Sequence, residues 1–255
     1  MERFLAGMGS SQSGENVADD LYFDAMESPT IEEQRRLLDE ALQVDPGHVD
    51  ANLSRLDHLD LSFEEELKML EKIEAIAAKQ LGKEFETGRG HFWGIIETRP
   101  YMRTRARKAD VLWNLGRVGE AVEEWKGMIE LNPNDNQGVR SQLLCSLLEL
   151  GRIDEAAALL KRYDEAAYST AAAYGVVLER FLSGDEDSAT EALGSARGQN
   201  GFTEAYLKGH RRIPRRMPHS YSMGSREEAV CFAEFLQRAW QAHPEALRWL
   251  TTMKK

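Results

Sequence analysis

Residues 115–121 read Leu-Gly-Arg-Val-Gly-Glu-Ala, and residues 150–156 read Leu-Gly-Arg-Ile-Asp-Glu-Ala. The two stretches lie 35 positions apart, and Gly184 with Ala189 repeats the glycine and the alanine 33 positions further on. A glycine between two segments with apolar residues at helical spacing is typical of the turn between paired helices. Recurrence at this period predicts that the chain is a stack of helix pairs.

The repeat length indicates the fold class. It is close to the roughly 34 residues of a tetratricopeptide repeat, so we expect an all-α, right-handed tetratricopeptide-type helical-hairpin solenoid. Residues 17–255 are predicted to form one such domain, interrupted by an irregular loop over 82–94 and a basic loop over 209–224. A C-terminal helix after Ser225 would cap the last repeat, whose face is otherwise exposed. Residues 1–16 are rich in glycine and serine and are predicted to be disordered.

Short polar signals predict where helices begin. A hydroxyl residue followed three positions later by glutamate, the spacing of a capping box, occurs at Thr30 to Glu33, at Ser62 to Glu65 and at Ser225 to Glu228. Apolar residues at helical spacing also predict helices over 49–61 and 95–115.

Composition and charge narrow the function classes. The chain has 255 residues, of which 42% are hydrophobic, and a formal net charge of −11. Such acidity argues against general binding to nucleic acid or to membrane surfaces. No apolar run is long enough for a transmembrane helix, and Cys145 and Cys231 lack the spacing of a disulfide framework. We expect a soluble cytoplasmic protein.

Several strings of residues resemble a known family. Residues 90–94 read Gly-His-Phe-Trp-Gly, residues 97–103 read Glu-Thr-Arg-Pro-Tyr-Met-Arg, and residues 131–138 read Leu-Asn-Pro-Asn-Asp-Asn-Gln-Gly. Together with Pro-Arg-Arg-Met-Pro at 214–218, they resemble the tetratricopeptide proteins related to suppressor of tumorigenicity seven and their bacterial relatives. The resemblance covers residues 17–250. It implies a helical-repeat scaffold and brings no established reaction or ligand.

The first candidate site is a basic helix, because residues 99–108 contain five cations and no acid. In a tetratricopeptide array the first helix of each pair lines the concave groove, and spacings of three and four place side chains on one side of a helix. Arginine suits a carboxylate, so we expect an acidic protein or peptide as partner. The predicted partner-binding groove comprises Arg99, Arg103, Arg107, Asp110, Asn114, Ser141, Gln142, Cys145 and Tyr174.

The same cations have a second interpretation. Residues 30–74 are rich in aspartate and glutamate, and these carboxylates are available to pair with the arginines inside the molecule. The basic helix would then be a charged face with a structural role.

The second candidate is the cluster of His91, Trp93, Glu97, Arg99 and Tyr101. Histidine, glutamate and tyrosine are residue types used in acid–base catalysis, and the cluster also fits the rim of a binding site. The interpretation we favour is structural. The aromatic rings pack the irregular loop against the helices, while Glu97 and Arg99 bond to loop backbone groups.

The third candidate is the basic loop, which lies in a stretch without acids from Ala205 to Met223. Its cations are suited to phosphate or RNA. The alternative is that they pair with the acidic body of the same molecule. The residues in question are Lys208, His210, Arg211, Arg212, Arg215 and Arg216.

The remaining chemistry-bearing residues do not form a recognisable motif. No two of the six histidines stand four positions apart, and the chain has no nucleophile elbow and no phosphate-binding glycine loop. We therefore expect no metal, no cofactor and no enzymatic activity. The predicted function is a non-enzymatic scaffold or adaptor that binds another protein in the concave groove. The alternative is a nucleic-acid or phosphate-ligand module that uses the basic loop.

Overall fold

The structure of the protein is a computed structural model that describes residues 17–254. Within this range the chain forms helices and turns and no strand, which confirms the predicted all-α fold class. The chain divides into two compact units, one ending at Asn136 and the other beginning at Gln137. The predicted disorder of residues 1–16 lies outside the described residues. The single domain predicted over 17–255 stays a prediction.

The first unit contains seven α-helices in its described part, with two short 3₁₀ turns before the sixth. The helices are α1 (17–27), α2 (Ile31–Val44), α3 (Val49–Leu56), α4 (Phe63–Leu81), α5 (Glu84–Thr87), α6 (Arg99–Asn114) and α7 (Val118–Leu131). The 3₁₀ turns are Phe92–Gly94 and Ile96–Thr98. Helix α6 packs against both α4 and α7 and therefore occupies the centre of this unit.

The second unit also contains seven α-helices in its described part. They are α8 (Arg140–Glu149), α9 (Ile153–Tyr163), α10 (Thr170–Leu182), α11 (Glu186–Gln199), α12 (Thr203–Leu207), α13 (Arg226–Gln241) and α14 (Pro244–Thr252). Helices α10 and α11 pack as a hairpin, and α13 packs against α8, α10 and α12.

The three glycines of the sequence repeat form the same turn. Gly116, Gly151 and Gly184 have φ angles of 75°, 69° and 82°, a left-handed conformation that glycine adopts without a steric penalty. In each case the next residue donates its backbone N–H to a carbonyl five positions back, at 2.9 to 3.0 Å. This bond closes the first helix of a hairpin before the second begins. The repeat register predicted from the sequence is confirmed at all three turns.

The repeated Arg-x-x-Glu has a local role at the start of the second helix of two hairpins. Arg117 donates to both carboxylate oxygens of Glu120 at 2.6 and 2.5 Å, and Arg152 does the same with Glu155 at 2.5 and 2.8 Å. Asp185, at the corresponding position of the third hairpin, instead accepts from the Ser188 N–H at 3.0 Å. In each hairpin, therefore, a contact between residues three positions apart stabilises the first turn of the second helix.

Two predicted helix boundaries are wrong by several residues. The helix predicted over 49–61 ends at Leu56, and the helix predicted over 95–115 begins at Arg99. Pro100 lies in the first turn of α6, where its missing N–H leaves no intrahelical bond unmade, and the residues before it form the 3₁₀ turn. The predicted C-terminal helix is present as α13, and a further helix, α14, begins at Pro244 after a break at Ala242.

Close packing inside the hairpins requires a small residue at the repeated alanine. Ala121, Ala156 and Ala189 are each fully buried. We expect Ala121→Leu to lower the free energy of unfolding by about 1–3 kcal/mol, because three extra carbon atoms overpack the contact between α6 and α7. Chemical denaturation measures this change.

The matched control is Ala158→Leu, which makes the same change at an exposed position of α9. Its effect should stay within about 0.5 kcal/mol. Equal effects at the two positions would contradict the predicted packing.

Candidate functional site

The outer arginines of α6 are paired with carboxylates of the same unit. Arg103 donates to both oxygens of Asp50 at 2.8 and 2.5 Å. Arg107 contacts Glu66 at 2.6 Å and Asp57 at 2.7 Å, and it also donates to a backbone carbonyl of α3 at 3.1 Å. These contacts join α6 to α3, to the turn after α3, and to α4.

The inner cations of α6 form a partly buried network. Arg105 and Lys108 are each 13% exposed, and Glu74 of α4 and Glu124 of α7 are 20% and 18% exposed. Glu124 binds Arg105 and Lys108 at 2.6 Å each, and Glu74 binds Lys108 at 2.5 Å. Burial alone would lower the pKa of Lys108, but the hydrogen bonds that its ammonium group donates to Glu124 and Glu74 outweigh burial and raise this pKa. Lys108 therefore keeps its charge.

Gly127 makes room for this network in the middle of α7. A Cβ atom built at Gly127 would lie 2.6 Å from Arg105 Nη2, so a larger residue would displace the guanidinium that binds Glu124. Glycine inside a helix costs about 0.5–1 kcal/mol relative to alanine. A glycine is found at position 127 because the guanidinium of Arg105 occupies the space that a side chain would need.

Intramolecular pairing, the second interpretation of the basic helix, therefore describes Arg103 and Arg107. Asp50, Asp57 and Glu66 lie within 30–74, where the sequence predicts acidic partners, whereas Glu124 of α7 is not among the predicted partners. The sequence does carry a signal for Glu124, because the predicted hairpin register already pairs α6 with α7.

The other members of the predicted groove differ in exposure. Asp110 and Asn114 are exposed, Ser141 and Gln142 are half-buried, and Cys145 and Tyr174 are buried. Tyr174 donates its hydroxyl to the carbonyl of Asn200 at 2.9 Å. Burial raises the pKa of the Cys145 thiol to about 12, so this cysteine is a neutral core residue at physiological pH.

The nine predicted groove residues divide between the two units. Arg99, Arg103, Arg107, Asp110 and Asn114 belong to the first, and Ser141, Gln142, Cys145 and Tyr174 belong to the second. Their assembly into one partner-binding groove stays a prediction.

The cluster around His91 contains a wedge of aromatic rings. Phe92 is fully buried, and its ring lies edge-on to Phe85 at 5.6 Å and to Tyr101 at 6.1 Å between centres. Arg99 donates to the Trp93 carbonyl at 3.0 Å, and its guanidinium lies 5.4 Å from the centre of the Trp93 ring. These contacts support the structural interpretation for the aromatic residues and for Arg99.

The two other members of this cluster are exposed. His91 and Glu97 have exposed side chains, and the Glu97 carboxylate has no hydrogen-bond partner among residues 17–254. The prediction that Glu97 bonds to loop backbone groups is therefore wrong. It is exposed within the 3₁₀ turn that precedes α6.

The basic loop is fixed at both ends. Near its start, the N–H of Arg211 donates to the Ala205 carbonyl at 2.9 Å. At its end, the N–H of Gly224 donates to the buried carboxylate of Glu228 at 2.6 Å. Glu228 also accepts from the N–H of Thr170 at 3.0 Å, so the end of the loop is tied to the start of α10.

The middle of the basic loop is also attached to the second unit. Ile213 packs on the buried cluster that includes Tyr206 and Val230, and the ring of Tyr221 lies edge-on to Phe232 at 5.9 Å. The loop is therefore an ordered strap between α12 and α13.

Lys208, the first cation predicted for this site, is already engaged. It contacts the buried Glu204 at 2.6 Å, and Arg197 contacts the same carboxylate at 2.5 Å. Burial alone would raise the pKa of Glu204, but hydrogen bonds from Arg197 and Lys208 outweigh it and hold this pKa below its usual value. Lys208 thus helps to fix α12.

The arginines of the basic loop are available. Arg211, Arg212, Arg215 and Arg216 are exposed. Across the described range, no carboxylate forms an ion pair with any of them. Arg216 has a contact of 3.3 Å with the ring of His219. The alternative for this loop was that its cations pair with carboxylates of the same molecule. Among these lysine and arginine side chains, only Lys208 does so within the described range.

Exposed apolar side chains accompany these arginines. Met217, Tyr221 and Met223 of the loop are exposed, as is Phe202 at the start of α12. Phe202 lies under the guanidinium of Arg226 at 5.2 Å. None of these four apolar residues is among the predicted site residues, because exposure of an apolar residue in an irregular segment has no periodic signature in the sequence.

Two kinds of feature are absent from the described part of the chain. No group of three or more histidine, cysteine, aspartate or glutamate side chains there is arranged to hold a metal ion. No helix among these residues is both long and apolar enough to cross a membrane.

Comparison with known proteins gives a distant likeness. No family model matches the chain, and no curated protein matches it. Among solved structures, the chain is similar to YrrB, described as a TPR protein with an unusual peptide-binding site. The two share 19% sequence identity over 66% of this chain and 76% of that chain, with a TM-score of 0.41. At this level we infer nothing about function from YrrB. The resemblance to the proteins related to suppressor of tumorigenicity seven stays a prediction.

The network on α6 leads to a stability prediction. We expect Glu124→Gln to lower the free energy of unfolding by about 1–3 kcal/mol, because it leaves Arg105 and Lys108 partly buried with one carboxylate fewer. Denaturant unfolding at neutral pH measures the effect.

The neighbouring Glu123→Gln is the control, since Glu123 is 61% exposed and lies 3.8 Å from Lys126. A surface pair of this kind contributes about 0–1 kcal/mol. If Glu124→Gln were no more destabilising than Glu123→Gln, the network would not stabilise the first unit.

Proposed function

We propose that the protein is a non-enzymatic interaction scaffold that binds another protein through the basic loop. The observation that carries the proposal is the combination found on this loop. It presents four exposed arginines without an acidic partner in the described chain, next to exposed Met217, Tyr221 and Met223.

These residue types are the ones that protein interfaces favour. Arginine, tyrosine and methionine are enriched at interfaces relative to other surface, and arginine and tyrosine often contribute most of the binding energy. A loop that is anchored before binding also loses less conformational entropy when a partner docks. The anchoring through Gly224 and Ile213 therefore supports a binding role.

Charge favours an acidic partner segment. The arginines of the loop are free to form bidentate contacts with carboxylates, and the exposed apolar residues beside them can pack on an apolar anchor of the partner. Nucleic acid is the second candidate ligand, supported by the same exposed arginines and by Tyr221. The net charge of −11 disfavours a long polyanion, so we place the protein partner first.

The predicted concave groove is a second proposed site for such a partner. The buried Oε1 of Gln142 has no hydrogen-bond partner among the described residues, which favours a ligand donor there. Arg103 and Arg107, however, would have to leave Asp50 and Glu66 to bind an acidic peptide. Breaking those contacts opposes binding, so the basic loop is the better-supported site.

Site-specific photo-crosslinking tests the proposal. A photoreactive phenylalanine analogue replaces Tyr221 of the basic loop or, as a matched control, Tyr168. The two tyrosines lie in the same unit and are 49% and 53% exposed. Irradiation in a lysate of the source organism should attach a discrete protein at position 221 and not at 168.

The captured protein is then purified and its binding measured directly. Replacing Arg211, Arg212, Arg215 and Arg216 by glutamine should weaken binding at least tenfold, about 1.4 kcal/mol. Equal capture at both positions, or unchanged affinity of the quadruple variant, would overturn the proposal. Capture of nucleic acid at position 221 would put the nucleic-acid alternative in its place.

A further inference from the structure

A recess of about 410 Å³ lies between the basic loop and α13. Its lining includes Arg211 and Arg212 of the loop and Arg226 of α13. Pro214 and Pro218 contribute apolar wall. The recess thus brings together cations from the loop and from α13, 14 positions apart between Arg212 and Arg226, and the sequence predicts only Arg211 and Arg212 of this set.

The net charge of the side chains that line the recess is positive. One carboxylate, Glu227, lines it together with the three arginines, which leaves about two positive charges. None of the three arginines forms an ion pair with a carboxylate anywhere in 17–254. A phosphate monoester carries about −1.5 to −2 at pH 7 and offers three acceptor oxygens. A side-chain carboxylate, with a single negative charge, would neutralise only about half of the excess.

Parts of the recess are held in place before any ligand binds. The guanidinium of Arg226 lies over the Phe202 ring, 5.2 Å from its centre, in a cation–π contact. The backbone N–H of Arg211 donates a hydrogen bond to the Ala205 carbonyl. Pro214 and Pro218 restrict the backbone conformation of the loop that follows. A backbone that is held in place before binding lowers the conformational entropy lost when the arginines bind an anion.

We propose that this recess binds the phosphate group of a phosphorylated residue in the protein partner. The inference rests on the proposed function and adds the chemistry of the partner. The apolar wall of Pro214 and Pro218 contacts the side chain next to the phosphorylated residue. The partner is a short phosphorylated segment, because the acidic body of the molecule opposes longer polyanions.

Titration with small probes tests the recess without the unknown partner. The first probe is a tripeptide amide with phosphoserine between two leucines. The comparison probes are its unphosphorylated parent, its glutamate analogue and inorganic phosphate. Nuclear magnetic resonance follows the arginine Nε–H signals of the full-length protein. We expect the phosphopeptide to shift the signals of Arg211, Arg212 and Arg226 saturably, with at least tenfold higher affinity than any comparison probe.

Variants and pH make the test specific. Arg211→Gln with Arg226→Gln should abolish saturable binding, whereas Arg162→Gln with Arg248→Gln, two exposed arginines of the same unit outside the recess lining, should reduce affinity less than threefold. Affinity should fall as pH drops from 7 to 5, because the second phosphate pKa is about 6. Circular dichroism checks that each variant remains folded.

The outcomes separate this inference from the proposed function. Equal affinity for the glutamate analogue or for inorganic phosphate would overturn the phosphopeptide site, as would equal loss in both double variants. If the crosslinked partner binds through the loop while the phosphopeptide fails, the scaffold stands and the phosphate site falls. If neither binds, both are wrong.

Discussion

Charge neutralisation along α6 is the constraint on which the first unit depends. This helix contributes four cations that are bound by carboxylates from α3, α4, α7 and the turn after α3. Because Arg105 and Lys108 are mostly removed from water, each needs its partners in place, and the packing of α4 and α7 on α6 is tied to that requirement. At Gly127 the backbone of α7 lies so close to the guanidinium of Arg105 that no Cβ atom fits between them.

The hairpin register could be predicted because it depends on local sequence. Gly116, Gly151 and Gly184 occupy a left-handed turn that glycine adopts most easily, and the buried alanine follows at a fixed distance in each repeat. The capping box at Ser62 and Glu65 is present with both of its hydrogen bonds. Such signals involve residues within one or two helical turns of each other, so they can be recognised without knowing the tertiary contacts.

The candidate sites could be predicted only in part, because a charged side chain has the same sequence signal whether it is paired or free. Arg103 and Arg211 both lie in acid-free stretches. Helix packing brings Asp50 to Arg103, although the two are 53 positions apart, whereas the anchors at Gly224 and Ile213 leave Arg211 exposed on the loop. The contribution of Arg226 to the recess depends on how the loop returns to α13, which no local pattern encodes.

Arg103, Arg105 and Arg107 are neutralised inside the first unit, whereas the four arginines of the basic loop remain available. Native-state modification by phenylglyoxal, followed by mass spectrometry of the peptides, tests this division most directly. Arg211, Arg212, Arg215 and Arg216 should react at nearly the rate of the unfolded chain, and Arg105 and Arg107 at least tenfold more slowly. Equal rates for the two groups would contradict the account.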